Sequence, residues 1–168
     1  MSWSQAEISA LATKAARGAG APPEQAVRFG QAAAAHLAQG RAASEIDQAL
    51  RALPEGPILR FGRDIDRVKM AALAIADTCV DVRVDDCAAL FDSYLSALPF
   101  EVKTTAIEPD HTRVVTGNDR GAACKPVGRI SGCDRLIARM SDLAARTFVP
   151  ESDASRRAGA GAGLTDND

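Results

Sequence analysis

The fold is decided by residues 4–40, SQAEISALATKAARGAGAPPEQAVRFGQAAAAHLAQG. Ser4 and Glu7 have the spacing of a capping box, in which the serine hydroxyl and the glutamate carboxylate accept hydrogen bonds from each other's backbone amides. Apolar residues then recur at helical spacing as far as Gly18, and glycine is common where helices end. These signals predict a first helix between Ser4 and Gly18.

A second helix is predicted from Pro22-Pro23 to about Gln39, because proline is pre-organised for the first turn of a helix. One face of this helix carries small or apolar residues: Ala26, Gly30, Ala33 and Leu37. A stripe of this kind lets two helix backbones approach closely. We therefore expect the first two helices to pack against each other.

The composition favours the same kind of packing. The chain has 168 residues, enough for one domain, and it contains 34 alanines but only 35 Leu, Ile, Val and Phe residues together. Because large apolar side chains are scarce, the core has to bring backbones together through Ala and Gly. The bulky apolar residues that follow residue 90 predict that the C-terminal half holds the main core.

Further helices are predicted beyond residue 40. The third should begin at Ser44 and end before Pro54, because proline cannot continue a helix. Residues 55–62 are predicted to be a connection. Asp64 or Asp66 would then cap a fourth helix.

Strands are predicted in the second half of the chain. Val80–Val84 alternates apolar and charged residues with the period of a strand, and Asp86 is predicted to cap the helix that follows. Residues 101–107 and 112–116 are rich in β-branched residues and predict a hairpin. Residues 126–130 are a third predicted strand.

These elements predict the α+β class, with Ala-rich N-terminal helices, a small antiparallel sheet and a C-terminal helix. Residues 1–150 would form a single domain that is helical over 1–98, β-rich over 99–131 and helical again over 132–146. Residues 151–168 are predicted to be a Gly-rich C-terminal tail.

Charge and hydropathy exclude several classes of protein. The net charge of −2 gives no electrostatic basis for binding nucleic acid. The apolar runs are too short to cross a bilayer, and the N-terminal residues lack the basic and apolar regions of a secretory signal. We therefore predict a cytoplasmic protein with reduced cysteines and with neither nucleic-acid nor membrane partners.

The tail is the least ordinary segment. Its alternating glycines allow the backbone amides to converge on an anion, and two adjacent arginines add positive charge. No strand directly precedes it, so it is not a dinucleotide-binding fingerprint. The predicted ligand-binding residues are Ser155, Arg156, Arg157, Gly159, Gly161 and Gly163. The alternative interpretation is a flexible or surface-lying tail.

Cys133 and His111 are the catalytic candidates of a competing hypothesis, a small enzyme. Cys133 is predicted in the first turn of the last helix, where the helix dipole favours a thiolate, and His111 would be its base. In the alternative interpretation Cys133 is structural or incidental, His111 is a hairpin-loop residue and His36 is a helix-surface or partly buried residue. No cofactor is predicted, and no metal site is predicted because the cysteines lack the spacing of a zinc knuckle.

Residues 7–20 and 147–168 together carry a resemblance to a known family. The second stretch ends in the motif Ser-Arg-x-x-Gly-Ala-Gly-Ala-Gly-x-x-Asp-Asn-Asp, over residues 155–168. The two ends resemble a bacterial family of small cytoplasmic proteins that is classed as a domain of unknown function. The resemblance implies no known activity, so no functional residue is carried over from it.

Three functional hypotheses follow from the sequence. The first is a non-enzymatic module that binds a small anion or a protein partner. The second is the small enzyme that uses Cys133 with His111, or uses the tail to hold an anionic substrate. The third is a subunit of a homodimer whose interface is an Ala-rich helical face.

Overall fold

The computed structural model of the chain describes residues 1–73, 78–84, 86–108, 110–116 and 128–147. The elements within these ranges are β1 (Ser2–Trp3), α1 (Gln5–Gly18), α2 (Pro23–Ala38), α3 (Ala43–Arg51), α4 (Pro57–Ala72), β2 (Thr78–Arg83), α5 (Ala88–Ser96), β3 (Val102–Glu108), β4 (His111–Thr116), β5 (Ile130–Ser131) and α6 (Asp134–Ala145). The fold is α+β, which confirms the predicted class. The predicted tail over 151–168 lies outside the described residues.

The predicted capping box starts α1. The Ser4 hydroxyl accepts a hydrogen bond from the Glu7 amide at 3.2 Å, and the Glu7 carboxylate accepts one from the Ser4 amide at 2.7 Å. The hydrogen bond from the Ser4 backbone is the main reason why the pKa of Glu7 is lowered from its ordinary value. Two of the N-terminal amides that a helix leaves without intrahelical partners are thus satisfied locally.

The contact between α1 and α2 depends on a glycine at the point where they meet. A Cβ atom on Gly30 would lie 2.1 Å from the Thr13 hydroxyl oxygen and 2.5 Å from the Ser9 carbonyl oxygen. Six alanines of the two helices are completely buried: Ala12, Ala15, Ala16, Ala26, Ala32 and Ala33. The close approach predicted from the small-residue stripe is therefore confirmed.

α6 also packs against α1, again through a glycine. A Cβ atom on Gly18 would lie 1.8 Å from the carbonyl oxygen of Leu143, so the end of α1 meets the backbone of α6. The start of α6 is held by the short sheet of β1 and β5, in which Trp3 pairs with Ile130. β1 thus holds the start of α6 through β5, and the end of α1 packs against the last turns of α6.

α4 begins earlier than predicted. The stretch 55–62, predicted to be a connection, is helical from Pro57 onwards, and Asp64 and Asp66 lie inside the helix instead of capping it. Gly56 has a φ of 80°, which reverses the chain, and proline then occupies the first helical position. The buried residues of α4 recur at helical spacing: Ile58, Phe61, Ile65 and Val68.

α5 receives its N-terminal cap from another helix. Asp86 was predicted to be the cap, but the N-cap residue is Cys87. The Cys87 side chain makes no capping hydrogen bond. Instead the carboxylate of Glu45 in α3 accepts a hydrogen bond from the Leu90 amide at 2.8 Å. This carboxylate satisfies an amide of the first turn and matches the positive end of the helix dipole. Local sequence could not predict a cap that comes from 45 residues away.

Strands β2, β4 and β3 form an antiparallel sheet in that order. The hairpin predicted over 101–107 and 112–116 is confirmed as β3 and β4, and the alternation over 80–84 is confirmed as β2. α4 packs against β2 and β4, whereas every residue of β3 after the first is exposed. The strand predicted over 126–130 is only partly described, and β5, which begins at its last residue, pairs with β1 instead of this sheet.

The main core lies in the helical half of the chain, so the expectation of a C-terminal core is wrong. Among the described residues, eight of the twelve largest fully buried side chains precede residue 90. At their centre the Phe61 ring lies 5.0 Å from that of Phe91 and 5.9 Å from that of Tyr94. The bulky residues of the edge strand contribute little, since Ile107 is 45% exposed.

Replacing Gly30 with alanine tests the α1/α2 contact. Alanine ordinarily stabilises a helix interior by about 0.5–1 kcal/mol relative to glycine. Here its methyl group would overlap the backbone oxygen of Ser9, so we expect Gly30→Ala to lower the free energy of unfolding by about 1–3 kcal/mol in urea titrations. The control is Gln31→Ala at the exposed neighbouring position, which should shift stability by no more than about 0.5 kcal/mol. A stabilised Gly30→Ala protein would contradict the contact.

Candidate functional site

A groove of about 530 Å³ lies between α3 and α6. Its charged lining residues are Asp47 and Arg51 from α3 and Arg135, Arg139 and Asp142 from α6. They lie on the facing sides of the two helices because residues three or four positions apart share a helix face. Positive groups therefore outnumber negative ones among the charged residues that line this groove.

One carboxylate in the groove is shared by two arginines. Asp47 accepts a hydrogen bond from Arg51 Nε at 2.8 Å through one oxygen, and its other oxygen lies 3.0 Å from Arg139 Nε. Arg135 makes no ion pair with any described residue. A guanidinium group is a planar fork of donors that matches a carboxylate or a phosphate. The arrangement can therefore attract an anion and bind it directionally.

The N-terminus of α3 adds to this attraction. Ser44, where α3 was predicted to begin, is its second residue, and the N-cap is Ala42, which offers no side-chain acceptor. The positive end of the α3 dipole therefore lies beside Ala43 and Ser44, which line the groove. The Ser44 side chain also brings a neutral hydroxyl donor to the groove.

A buried polar network joins α2, the chain after it and α5. His36 is fully buried, and its Nε2 lies 2.9 Å from the Ala42 carbonyl oxygen, which can only accept a hydrogen bond. Nε2 therefore donates. Nδ1 lies 3.0 Å from the Ser93 hydroxyl oxygen, and that hydroxyl also donates to the Ala89 carbonyl oxygen at 2.8 Å. Arg41 donates to the Ser93 oxygen at 2.7 Å and also to the Ala89 carbonyl oxygen. Both ring nitrogens and the hydroxyl thus have polar partners within hydrogen-bond distance.

The burial of His36 corrects the expectation of a helix-surface or partly buried residue. A signal for it exists in the sequence, because His36 lies seven, four and three residues after Phe29, Ala32 and Ala33, all of which are buried. Its partner on α5, Ser93, is 57 residues further along the chain and could not be predicted. A buried imidazole with every nitrogen bonded has a structural role.

Cys133 lacks the exposed thiolate that the enzyme hypothesis requires. It is the N-cap residue of α6 and only 6% exposed. Burial, with a contribution from Asp134, raises its pKa above the ordinary value, the opposite of the expected dipole effect. Burial likewise raises the pKa of Cys87 to about 11. Both thiols are therefore protonated near neutral pH.

His111 is not positioned by a cysteine. It is the first residue of β4, and its Nδ1 lies 2.9 Å from a carboxylate oxygen of Asp110 and 3.6 Å from one of Glu108. Among the described residues these carboxylates are its polar partners, and Cys133 is not one of them. Within the described residues, Cys133 and His111 are therefore not brought together as a nucleophile and its base.

The predicted ligand-binding residues of the tail lie outside the described residues: Ser155, Arg156, Arg157, Gly159, Gly161 and Gly163. They stay a prediction. The groove arginines were not predicted, although two pairs at four-residue spacing, Asp47 with Arg51 and Arg135 with Arg139, marked their helix faces in the sequence. Their meeting depends on how α3 and α6 pack.

Comparison with known proteins identifies no relative. No protein-family model matches the chain, and no curated protein and no solved structure shows significant similarity to it. The resemblance of the two termini to a bacterial family stays a prediction. In the described part of the chain, no helix combines the length and the apolar character needed to cross a bilayer.

Replacing Ser93 with alanine tests the buried network. The change leaves the Nδ1 atom of His36 buried without its hydroxyl partner and removes an acceptor from Arg41. We expect the free energy of unfolding to fall by about 1–3 kcal/mol. Ser96→Ala is a matched control on the same helix, because this exposed hydroxyl bonds only to the Asp92 carbonyl oxygen, and it should change stability by less than about 0.5 kcal/mol. Equal effects would contradict the network.

Proposed function

We propose that the protein is a non-enzymatic module that binds a small anion in the α3/α6 groove. The observation that carries the proposal is the convergence of three arginines on one groove with only two aspartates. One of these aspartates, Asp47, already neutralises part of the charge of Arg51 and Arg139. The remaining attraction, together with Arg135 and the α3 N-terminus, favours a negatively charged ligand.

The size of the groove limits the ligand. A volume of about 530 Å³ lies within the range of sites for small molecules, about 300–1,000 Å³. Guanidinium groups recognise carboxylates and phosphates through paired donors, so the ligand class is a small polycarboxylate or a phosphate ester. Leu136 and Ala138 provide apolar contacts for the uncharged part of such a molecule.

The competing hypotheses have less support. An enzyme that uses Cys133 needs a reactive thiol, and Cys133 is buried with a raised pKa. The version that holds a substrate in the tail depends on residues outside the described ranges. The homodimer needs a free Ala-rich helical face, whereas the alanines of α1 and α2 are largely buried within the chain. A protein partner is supported by β3, an edge strand exposed along most of its length. β3 itself carries one lysine and one glutamate, Lys103 and Glu108, instead of several arginines that converge on one groove.

Calorimetric titration of the full chain with citrate and with inorganic phosphate at low ionic strength tests the proposal. We expect Arg135→Ala to weaken binding of the ligand by about tenfold or more, because a charge-assisted hydrogen bond is worth about 1.5–3 kcal/mol. Added salt should also weaken binding, since the site is open to solvent. The control is Arg63→Ala, which removes the same charge from an exposed position on α4 and should leave the affinity unchanged.

Two results would overturn the groove as the site. One is an equal loss of affinity in Arg135→Ala and Arg63→Ala, which would show only a general effect of charge. The other is a loss confined to Arg156→Ala and Arg157→Ala, which would place the anion at the predicted tail residues instead.

A further inference from the structure

A second cluster of polar side chains lies at the turn between β3 and β4. Glu108 is the last residue of β3, His111 is the first residue of β4, and Asp110 lies between them. Each offers one donor atom, and the three atoms lie within 4.8 Å of one another. We call these three residues the hairpin-turn cluster. It belongs to the sheet and shares no residue with the α3/α6 groove.

The strand pairing explains why the three side chains converge. The register between β3 and β4 shifts between Ala106 and Glu108, and the shift places Glu108 opposite His111. The turn is also tied to the neighbouring strand, because the carbonyl oxygen of Asp110 accepts a hydrogen bond from the Val84 amide at 2.7 Å. The backbone around the cluster is therefore held from two sides.

The distances within the cluster suit a shared metal ion. His111 Nδ1 lies 2.9 Å from the nearest Asp110 carboxylate oxygen and 3.6 Å from that of Glu108. Two donors that each lie about 2.1 Å from one ion are about 3.0–3.4 Å apart, for angles between octahedral and tetrahedral. These two separations bracket this range, and the donor atoms of Glu108 and Asp110 lie within 4.8 Å of each other. The Glu108 side chain is 67% exposed, so it has room to rotate and bring its carboxylate closer to the other two donors.

A further charged residue orients one of the carboxylates. Arg83 Nε lies 3.4 Å from Oδ2 of Asp110, whereas Oδ1 of Asp110 faces His111. The arginine thus pairs with Oδ2 of Asp110 and leaves Oδ1 facing the other two members of the cluster. Outer partners of this kind commonly fix the orientation of metal ligands.

We propose that Glu108, Asp110 and His111 bind a divalent transition-metal ion such as Zn²⁺, with water at its remaining positions. One imidazole and two carboxylates form a mixed nitrogen and oxygen set, which suits first-row transition metals better than Ca²⁺ or Mg²⁺. The ion takes the place of any proton on His111 Nδ1, which is released to solvent. The set contains no cysteine, so the search for cysteine spacing in the sequence could not detect it.

Titration of the metal-free full chain with Zn²⁺, followed by calorimetry, tests the site. The titration uses a Cys79→Ser/Cys124→Ser background, because Cys79 is exposed and Cys124 lies outside the described residues. His36, the other histidine, is fully buried with both ring nitrogens bonded. We expect one ion per chain. We expect His111→Ala to weaken Zn²⁺ affinity at least about tenfold, since even loss of an outer partner commonly costs 10–100-fold.

Glu108→Gln keeps the test independent of folding, because this side chain is largely exposed and the change conserves its shape. It should also weaken Zn²⁺ binding about tenfold, whereas Glu101→Gln, an exposed carboxylate just before β3, should change it by less than about twofold. Unchanged affinity in His111→Ala and Glu108→Gln would overturn the proposal. So would an absence of Zn²⁺ binding at millimolar concentration, or Ca²⁺ binding as tight as that of Zn²⁺.

Discussion

The close approach of helix backbones is the constraint on which the rest of the structure depends. A chain with few large apolar side chains cannot fill wide gaps between its helices, so the helices must meet almost backbone to backbone. Two glycines make this possible. A Cβ atom on Gly18 of α1 would overlap a carbonyl oxygen of α6, and a Cβ atom on Gly30 of α2 would overlap a carbonyl oxygen of α1. The buried alanines extend these contacts along the helices. The larger residues are then free to pack around Phe61 at the centre.

The same constraint positions both polar regions of the helical half. α6 lies against α1 at Gly18. The charged residues of α6 that face α3, Arg135, Arg139 and Asp142, form one wall of the α3/α6 groove. α2 carries His36 into the core, where its hydrogen bonds with Ser93 and the Ala42 carbonyl oxygen tie α2 to α5 and to the start of α3. The hairpin-turn cluster is independent of these helix contacts because it is built by strand pairing. The two proposed sites can therefore be altered separately.

Local signals predicted much of the fold but little of the sites. The capping box at Ser4 and the β3/β4 hairpin were recognisable because their determinants lie within a few residues of one another. The early start of α4 was missed because the pair Gly56-Pro57 is typical of a turn as well as of a helix start. The cap on α5 and the groove could not be predicted, since each joins residues far apart in the chain. The raised pKa of Cys133 depends on tertiary burial, which helix position alone does not reveal.

The most direct test of this account is the stability and ligand affinity of Gly18→Ala. A methyl group at this position would overlap the Leu143 carbonyl oxygen, which cannot move unless α6 moves with it. We expect a free energy of unfolding lowered by about 1–3 kcal/mol and a weakened citrate affinity. The contrary result would be a gain of about 0.4–1 kcal/mol, as alanine gives at an uncrowded helical glycine, with citrate binding intact.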